Sequence, residues 1–201
     1  MSLIDRLFHA RFATFRGWVR WLLAMAEWRV GRLRRFARLD FSAVRRVVFV
    51  CQGNICRSPF GEAVARRVGL PTASFGLATS TGMPAFGRAV ETAQAQGIDL
   101  TSHRVTAIED FTFQRGDLLV VMEVRQARRL LKSRELPSEV QITLLGLWSE
   151  PLRPHLHDPF EHGPTYFQFC FQVIDSGVKE LARRIRSGHV NDALSSREAF
   201  E

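Results

Sequence analysis

The sequence predicts an α/β fold of three layers, in which a short parallel four-stranded sheet lies between helices, with a helical extension at the N-terminus. Three observations lead to this prediction. From residue 46 onward, short apolar runs alternate with helix-like segments, and this alternation is typical of a parallel sheet with helices on both faces. The apolar runs are continuous, as expected for strands that are buried on both faces. Before residue 46, apolar residues recur at helical spacing among many arginines.

The predicted elements follow from local signals along the chain. Val47 to Val50 is a continuous apolar run and predicts the first strand. A helix from Ser58 to Val68 is expected next, because Pro59 occupies a first-turn position that tolerates proline. The remaining elements are predicted in this order: strand 72–78, helix 87–96, strand 117–122, a helix around 125–131, strand 140–145 and a closing helix 165–186. Folds of this kind carry their sites beyond the carboxyl ends of the strands.

Residues 1–40 are predicted to form a basic amphipathic helix. One face of this helix would carry an apolar arc of Ile4, Phe8, Phe12, Phe15, Val19 and Leu22. Arg11 and Arg29 fall inside that arc and make the amphipathicity imperfect. The expected regions are an extension over residues 1–45, a main domain over residues 46–190 and a tail over residues 191–201.

The positive charge of the chain is concentrated at its N-terminus. The net charge is +8, and residues 1–46 hold eleven Arg against three acidic residues. The remaining residues are electrically balanced, which excludes a generally basic surface that coats nucleic acid. The longest apolar run near the N-terminus, residues 21–26, is far shorter than the ~20 residues of a membrane span.

The cysteine content indicates a reducing environment rather than a disulfide scaffold. Cys51, Cys56 and Cys170 form a small, odd-numbered set, which is typical of a cytosolic protein. Their spacing does not match a zinc site, and we expect neither a metal nor an organic cofactor. The predicted location is therefore the cytoplasm.

The segment from Cys51 to Pro59 carries the predicted chemistry. A Cys-x5-Arg pattern alone is a weak signal, but here a strand delivers Cys51 and a helix starts at Ser58. Consecutive backbone N–H groups in such a turn form an anion-binding nest, and the helix N-terminus adds positive potential. That field holds a phosphate dianion and favours the thiolate of Cys51 over the thiol.

Two side chains at the end of this segment complete the predicted site. Arg57 can grip two phosphate oxygens and stabilise the charge of a transferring phosphoryl group. Ser58 can donate its hydroxyl to the thiolate of Cys51 and so ease its departure from a phosphoenzyme. The predicted phosphate-binding residues are Gln52, Gly53, Asn54, Ile55, Cys56, Arg57 and Ser58.

The stretch from Val50 to Pro59 resembles the signature loop of low-molecular-weight protein tyrosine phosphatases, and the resemblance runs through most of residues 46–186. The further segments that resemble family motifs are Ser74-Phe75-Gly76-Leu77, residues 97–104, residues 117–123 and His157-Asp158-Pro159-Phe160. The resemblance implies a flavodoxin-like fold with the phosphate-binding loop after the first strand. It also implies hydrolysis of phosphotyrosine through a phosphocysteine intermediate. The implied catalytic residues are Cys51 as nucleophile, Arg57 as phosphate clamp and Asp158 as proton donor.

The resemblance implies supporting roles for residues around the loop. Asn54 would be held in a strained conformation, and the residues implied to hold it are Ser58, Ser74 and His103. His103 is then a structural histidine rather than a general base. Cys56 would lie beside Cys51, where it either forms a reversible disulfide that protects the nucleophile or is a packed loop residue.

Three related activities stay open beside phosphotyrosine hydrolysis. Protein-arginine phosphatases resemble this loop but typically have Thr where Ile55 stands, and the apolar Ile55 suits a flat phenyl ring. Arsenate reductases of the same fold relay electrons through further cysteines after the third strand, where this chain has none. A phosphotyrosine-binding module without turnover would have lost its nucleophile or its acid, and both are present here.

The expected partners follow from the same resemblance. The overall pattern is most similar to bacterial members linked to exopolysaccharide export, which counteract tyrosine autokinases. The expected partner is a phosphotyrosine protein such as a membrane tyrosine kinase. No nucleic acid is expected as a partner. Residues 1–40 either lie on the inner face of an anionic membrane, or pack on the phosphatase domain, or form a homodimer contact.

Overall fold

The computed structural model describes residues 3–133 and 136–198, and it confirms the predicted α/β fold. Its strands are β1 (Arg46–Cys51), β2 (Thr72–Gly76), β3 (Asp117–Val121) and β4 (Gln141–Leu144). They form one parallel sheet in the order β2-β1-β3-β4. This order places β1 between β2 and β3, so a loop that follows β1 can be contacted by residues that follow both neighbouring strands.

The helices of the described residues cover this sheet. They are α1 (Leu3–Phe12), α2 (Phe15–Arg29), α3 (Arg57–Arg67), α4 (Gly87–Gln94), α5 (Val124–Leu131) and α6 (Pro164–Glu198). Each strand and helix predicted for the main domain is present, with ends that differ by a few residues apart from the longer closing helix. Among the described helices, none combines the length and the apolar character needed to cross a membrane.

The N-terminal extension forms a helical hairpin, so the prediction of a single helix is wrong. α1 ends at Phe12 and α2 begins at Phe15. Ala13 between them has a φ of 60°, in the left-handed region where an α-helix cannot continue. Thr14 then caps α2, because its hydroxyl accepts a 3.0 Å hydrogen bond from the backbone N–H of Gly17. The local cap outweighs the helical periodicity of the flanking residues.

The break separates members of the predicted apolar arc. Phe12 faces the main domain, where the guanidinium carbon of Arg153 lies 4.6 Å from its ring centroid. Phe15, by contrast, is 65% exposed. The prediction that these two phenylalanines share one face is therefore wrong, because the chain turns between them.

The closing helix is longer than predicted. α6 continues past the predicted end at Arg186 as far as Glu198. The predicted tail is therefore helical over its described part, residues 191–198. Residues 1–2 of the extension and residues 199–201 of the tail lie outside the described residues.

Two apolar clusters cover the two faces of the sheet. On one face, β1 packs against α3 and α6, and the rings of Phe60 and Phe171 stack with centroids 3.9 Å apart. On the other face, β1 and β3 pack against α5 and the N-terminal extension, which contributes Ala24, Leu33 and Phe36. The extension thus shares a core with the main domain.

Polar contacts also join the extension to the main domain. Thr143 on β4 donates a 2.6 Å hydrogen bond to the backbone carbonyl of Phe36. The side chain of Gln141 and the backbone of Asp40 exchange two hydrogen bonds of 2.8 Å. The extension is therefore packed on the main domain, although the outer side of α2 stays exposed.

Candidate active site

The carboxyl end of β1 leads into the candidate phosphate loop, residues 51–58. β1 ends at Cys51 and α3 begins at Arg57, so the loop lies at the edge where sites of parallel sheets occur. Gly76 at the end of β2 permits a close approach, since a Cβ there would lie 3.0 Å from the carbonyl carbon of Gly53. A side chain at Gly76 would push the loop away from the sheet.

Asn54 holds the loop in its shape. Its φ of 52° lies in the left-handed region, which asparagine adopts more readily than most residues. Its Nδ2 donates 2.8 Å hydrogen bonds to the hydroxyls of Ser58 and Ser74. Its Oδ1 accepts a 2.9 Å bond from the backbone N–H of Thr106, and its carbonyl lies 2.8 Å from His103 Nε2. These contacts over-determine the strained backbone.

His103 serves as a neutral hydrogen-bond donor in this arrangement. A carbonyl oxygen can only accept, so Nε2 carries the proton that it donates to Asn54. Burial lowers the pKa of His103 below its usual value, which keeps the ring neutral at pH 7. One supporting residue was missed from sequence: Glu62, which accepts a 2.6 Å bond from Ser74 Oγ. Glu62 lies inside α3, and the sequence around it carries no signal for this contact.

The sulfur of Cys51 is surrounded by hydrogen-bond donors. Sγ lies 3.3 Å from the backbone nitrogen of Asn54, which donates to it, and 3.0 Å from Ser58 Oγ. Because Ser58 Oγ accepts a bond from Asn54 Nδ2, its own proton can point at the sulfur. The sulfur therefore accepts from one N–H group, can accept from one O–H group and lies near the N-terminus of α3.

Arg57 is buried and joins the loop to two carboxylates. Nη1 donates to Glu123 Oε1 at 2.9 Å and to the carbonyl of Leu156 at 3.0 Å, while Nη2 donates to Asp158 Oδ2 at 2.5 Å. Burial would raise the pKa of Glu123, but the positive charge and hydrogen bonds around it, chiefly from Arg57, lower it to about 2. The resulting carboxylate fixes the plane of the guanidinium.

Glu123 is a site residue whose role was missed from sequence. It lies two residues after the end of β3, with Met122 between them, and is fully buried. The available signal is a carboxylate that comes just after a continuous apolar strand, at the edge where the site forms. Its partner Arg57 lies 66 positions away in the chain, so local pattern does not reveal the pairing.

Asp158 lies on the acid segment, residues 153–160, which passes in front of the loop. Its side chain is 34% exposed, so it is reachable from solvent while it contacts Arg57. Its Oδ1 accepts a 3.3 Å bond from the backbone N–H of Phe160, which orients the carboxyl group. Asp158 therefore sits between the loop and the open side of the site.

Apolar side chains border the entrance. Phe160 is 41% exposed, and its ring centroid lies 4.8 Å from that of Phe86. The backbone N–H of Phe86 donates a 2.9 Å bond to the carbonyl of Ile55. These contacts place a pair of aromatic rings beside the loop, to which Phe86 is joined through the backbone of Ile55.

The other cysteines are buried thiols. Cys56 is 2% exposed and Cys170 is fully buried on α6, and burial raises the pKa of both. Within residues 3–133 and 136–198, no group of three or more His, Cys, Asp or Glu side chains is arranged to hold a metal ion.

The structure brings the predicted site residues together at the carboxyl edge of β1. The three predicted catalytic residues, Cys51, Arg57 and Asp158, meet at the loop. Gln52 to Cys56 supply its backbone, and the predicted supporting residues Ser58, Ser74 and His103 all contact Asn54.

Comparison with known proteins gives matches over the main domain. The family model described as low molecular weight phosphotyrosine protein phosphatase matches residues 46–191. A probable low molecular weight protein-tyrosine-phosphatase, EpsP of Ralstonia nicotianae, is 32% identical over 146 residues, which cover 72% of this chain and 98% of that protein.

Solved structures share the fold. The tyrosine phosphatase Wzb from Escherichia coli K30, in complex with sulphate, is 26% identical with a TM-score of 0.60 and covers 71% of this chain and 99% of its own. The YwlE arginine phosphatase from Geobacillus stearothermophilus has a TM-score of 0.60 at 19% identity, over 73% of this chain and 96% of that one. Residues 1–45 lie outside the family match. With its main domain matched in this way, the chain belongs to the low molecular weight phosphotyrosine protein phosphatase family.

Proposed function

We propose that this protein hydrolyses phosphotyrosine in proteins through a phosphocysteine intermediate on Cys51. The observation that carries the proposal is the position of Arg57, which lies in the loop headed by Cys51 and donates to Asp158 at 2.5 Å. A nucleophile, a phosphate clamp and a proton donor thus meet at one anion-binding loop. Family membership supports the same activity, that of a phosphoric monoester hydrolase.

In the first step, the Cys51 sulfur attacks the phosphorus of the bound phosphotyrosine. The S–P bond forms as the P–O bond to the phenol breaks, and the protonated carboxyl of Asp158 gives its proton to the departing oxygen. Arg57 and the loop N–H groups stabilise the charge on the three other phosphoryl oxygens.

In the second step, water releases the phosphate. The carboxylate of Asp158 takes a proton from a water molecule whose oxygen attacks the phosphorus, and the S–P bond breaks. The electron pair returns to the Cys51 sulfur, which the hydroxyl of Ser58, 3.0 Å away, stabilises as a thiolate. The products are inorganic phosphate and the starting enzyme.

The entrance favours a phenyl ring over a guanidinium. Phe86 and Phe160 form an aromatic pair beside the loop that contains the apolar Ile55, and aromatic rings pair well with one another. The arginine phosphatase YwlE, at 19% identity, shares the fold with this chain and supports no more than that.

The test compares turnover of a phosphotyrosine peptide, a phosphoarginine peptide and arsenate, without added metal. Phosphate release from phosphotyrosine should dominate, and Cys51→Ser should abolish it while inorganic phosphate still binds. Preference for phosphoarginine or arsenate reduction would contradict the proposed substrate. Turnover by Cys51→Ser above a trace would contradict the nucleophile.

We further propose that the substrate is a tyrosine autokinase of polysaccharide export and that the outer side of α2 contacts the inner face of the membrane. Phe15, Leu22 and Leu23 are 65%, 40% and 61% exposed. Arg16 and Arg29 are exposed on the same helix, and each basic residue near an anionic surface contributes ~1 kcal/mol. Such a location would bring the active site close to a membrane-embedded kinase.

Sedimentation with vesicles tests the membrane contact. Full-length protein should bind phosphatidylglycerol vesicles, and this binding should weaken as the salt concentration rises. The double variant Leu22→Ser/Leu23→Ser should no longer bind. Leu131→Ser on α5, where Leu131 is 40% exposed, is the matched control and should bind normally. A point variant is preferable to truncation because Ala24 and Leu33 belong to the core. Failure of the active enzyme to bind at low salt would rule out the membrane contact.

A further inference from the structure

The hairpin of α1 and α2 lies against the acid segment that carries Asp158. Gly17 on α2 touches the ring of His157, since a Cβ at Gly17 would lie 3.1 Å from His157 Cγ and 2.2 Å from the carbonyl oxygen of Phe12. Thr14 Oγ1 lies 3.5 Å from His157 Nε2. The junction of the two helices therefore packs closely against the side chain of His157, the residue that precedes Asp158.

Arg153 makes a second contact between the hairpin and the acid segment. Its guanidinium carbon lies 4.6 Å from the ring centroid of Phe12, 5.2 Å from that of Trp21 and 4.8 Å from that of Phe169. Arg153 is 6% exposed, and in the part of the chain that the structure describes no carboxylate forms an ion pair with it. A buried cation surrounded by aromatic faces thus joins α1, α2 and α6 at the start of the acid segment.

The phosphate loop holds the same segment from the opposite side. Asp158 contacts Arg57, and the carbonyl of Leu156 accepts a 3.0 Å bond from Arg57. The backbone carbonyl of His157 accepts a 3.1 Å bond from the hydroxyl of Tyr166. Two neighbouring side chains therefore anchor one short stretch of backbone, His157 to the hairpin and Asp158 to the loop.

We propose that the α1–α2 hairpin positions the general acid, with His157 as the positioning residue that it holds. A general acid must lie within hydrogen-bond reach of the leaving oxygen, and a misplacement of about 1 Å can reduce the rate by about 10²-fold. The hairpin lies outside residues 46–191, so the matched family domain does not contain this contact. The inference rests on the proposed function, in which Asp158 protonates the leaving phenol.

The test uses the dependence of kcat/KM on the leaving group. Phenyl phosphate needs protonation of its oxygen, whereas p-nitrophenyl phosphate has an acidic leaving group and needs it much less. Gly17→Ala would displace the helix junction from His157. His157→Ala would remove the contact between the ring and the junction without a steric conflict. Both variants should lower kcat/KM for phenyl phosphate by about tenfold or more. They should lower it for p-nitrophenyl phosphate far less and leave the affinity for inorganic phosphate unchanged.

Gly188→Ala is the matched control. Gly188 is also a tightly packed helical glycine, since a Cβ there would lie 2.7 Å from Phe41 Cβ, and it meets the extension about 30 Å along α6 from Tyr166. Any change that this variant causes in kcat/KM should be equal for phenyl phosphate and p-nitrophenyl phosphate.

The outcomes distinguish a positioning role from a structural one. Equal losses for both substrates in Gly17→Ala and His157→Ala, or the same selective loss in Gly188→Ala, would overturn the positioning role. If Gly17→Ala does not fold, the comparison of the two substrates in His157→Ala alone tests the positioning role. If Asp158→Asn itself shows no leaving-group dependence, the proposed role of Asp158 fails instead.

Discussion

Glu123 and Arg57 form a buried ion pair, with Glu123 Oε1 2.9 Å from Arg57 Nη1 and side chains that are 0% and 1% exposed. An ion pair removed from water in this way is held in one geometry by its remaining hydrogen bonds. Arg57 is therefore oriented before a phosphate arrives, and its second terminal nitrogen is directed at Asp158. A guanidinium prearranged in this way suits the proposed role of Arg57 as the phosphate clamp.

Glu123→Gln should lower both activity and stability. The glutamine keeps an acceptor for Arg57 but removes the charge, so the guanidinium is oriented less firmly and kcat/KM for an aryl phosphate should fall about tenfold. The free energy of unfolding should fall by about 1–3 kcal/mol, because the buried guanidinium loses one of its two carboxylate partners. Steady-state kinetics and urea unfolding measure the two effects, with the exposed Glu109→Gln as control. Lower stability with unchanged kcat/KM would limit Glu123 to a structural role.

Asp158→Asn should slow phenolic substrates selectively. Loss of the general acid should reduce kcat for phenyl phosphate by ~10²–10⁴-fold, and p-nitrophenyl phosphate should lose much less. Asp99→Asn is the matched control, because Asp99, like Asp158, accepts a bond from the backbone N–H two residues ahead. Equal losses across leaving groups would make Asp158 structural.

Cys56→Ser should make peroxide inactivation harder to reverse. Peroxide converts the Cys51 thiolate to a sulfenic acid, and the Cys56 thiol can then displace water to form a disulfide that thiols reduce. Burial raises the pKa of Cys56, so this thiol should not be the first group oxidised. Activity recovered with dithiothreitol after mild peroxide is the measurement, and Cys170→Ala is the control. Equal recovery of variant and parent would show that Cys56 is only packed.

His155 should make stability depend on pH below neutrality. Burial lowers the pKa of His155 to about 4, against ~6.5 in an unfolded chain. Between these values the unfolded chain binds a proton that the folded protein does not, so the free energy of unfolding falls as the pH falls from about 6.5 to 4. In urea unfolding between pH 7 and pH 4, the free energy of unfolding should fall more steeply for the parent protein than for His155→Gln. The two should differ by on the order of 1–3 kcal/mol across this range. Parallel curves would contradict this prediction.

Much of the fold and the loop could be predicted because the responsible signals are local. Four apolar runs correspond to four strands, and the residues from Cys51 to Arg57 are contiguous. An anion-binding loop is built from consecutive backbone N–H groups, so its position in sequence is also its position in space. The main-domain prediction needed no knowledge of distant contacts.

The contacts around the loop could not be predicted in the same way. Arg57 pairs with Glu123 across 66 positions in the chain, and Thr106 supports Asn54 through its backbone N–H, which any residue could supply. The position of Glu123 after an apolar strand suggests a site residue, but neither residue type nor spacing reveals which residue it pairs with. These contacts are set when the strands and helices pack.

The amino-acid sequence alone predicted the order of the elements at the site: a strand that delivers Cys51, a turn that can bind an anion and a helix that starts at Ser58, one residue later than in the structure. For the N-terminal extension it established helix formation and positive charge, because periodicity and composition are local properties. It did not establish that Gly17 would meet His157 or that Phe12 would be covered while Phe15 is exposed. Periodicity tells which residues share a helical face, but whether that face meets solvent or protein depends on contacts between residues far apart in the chain.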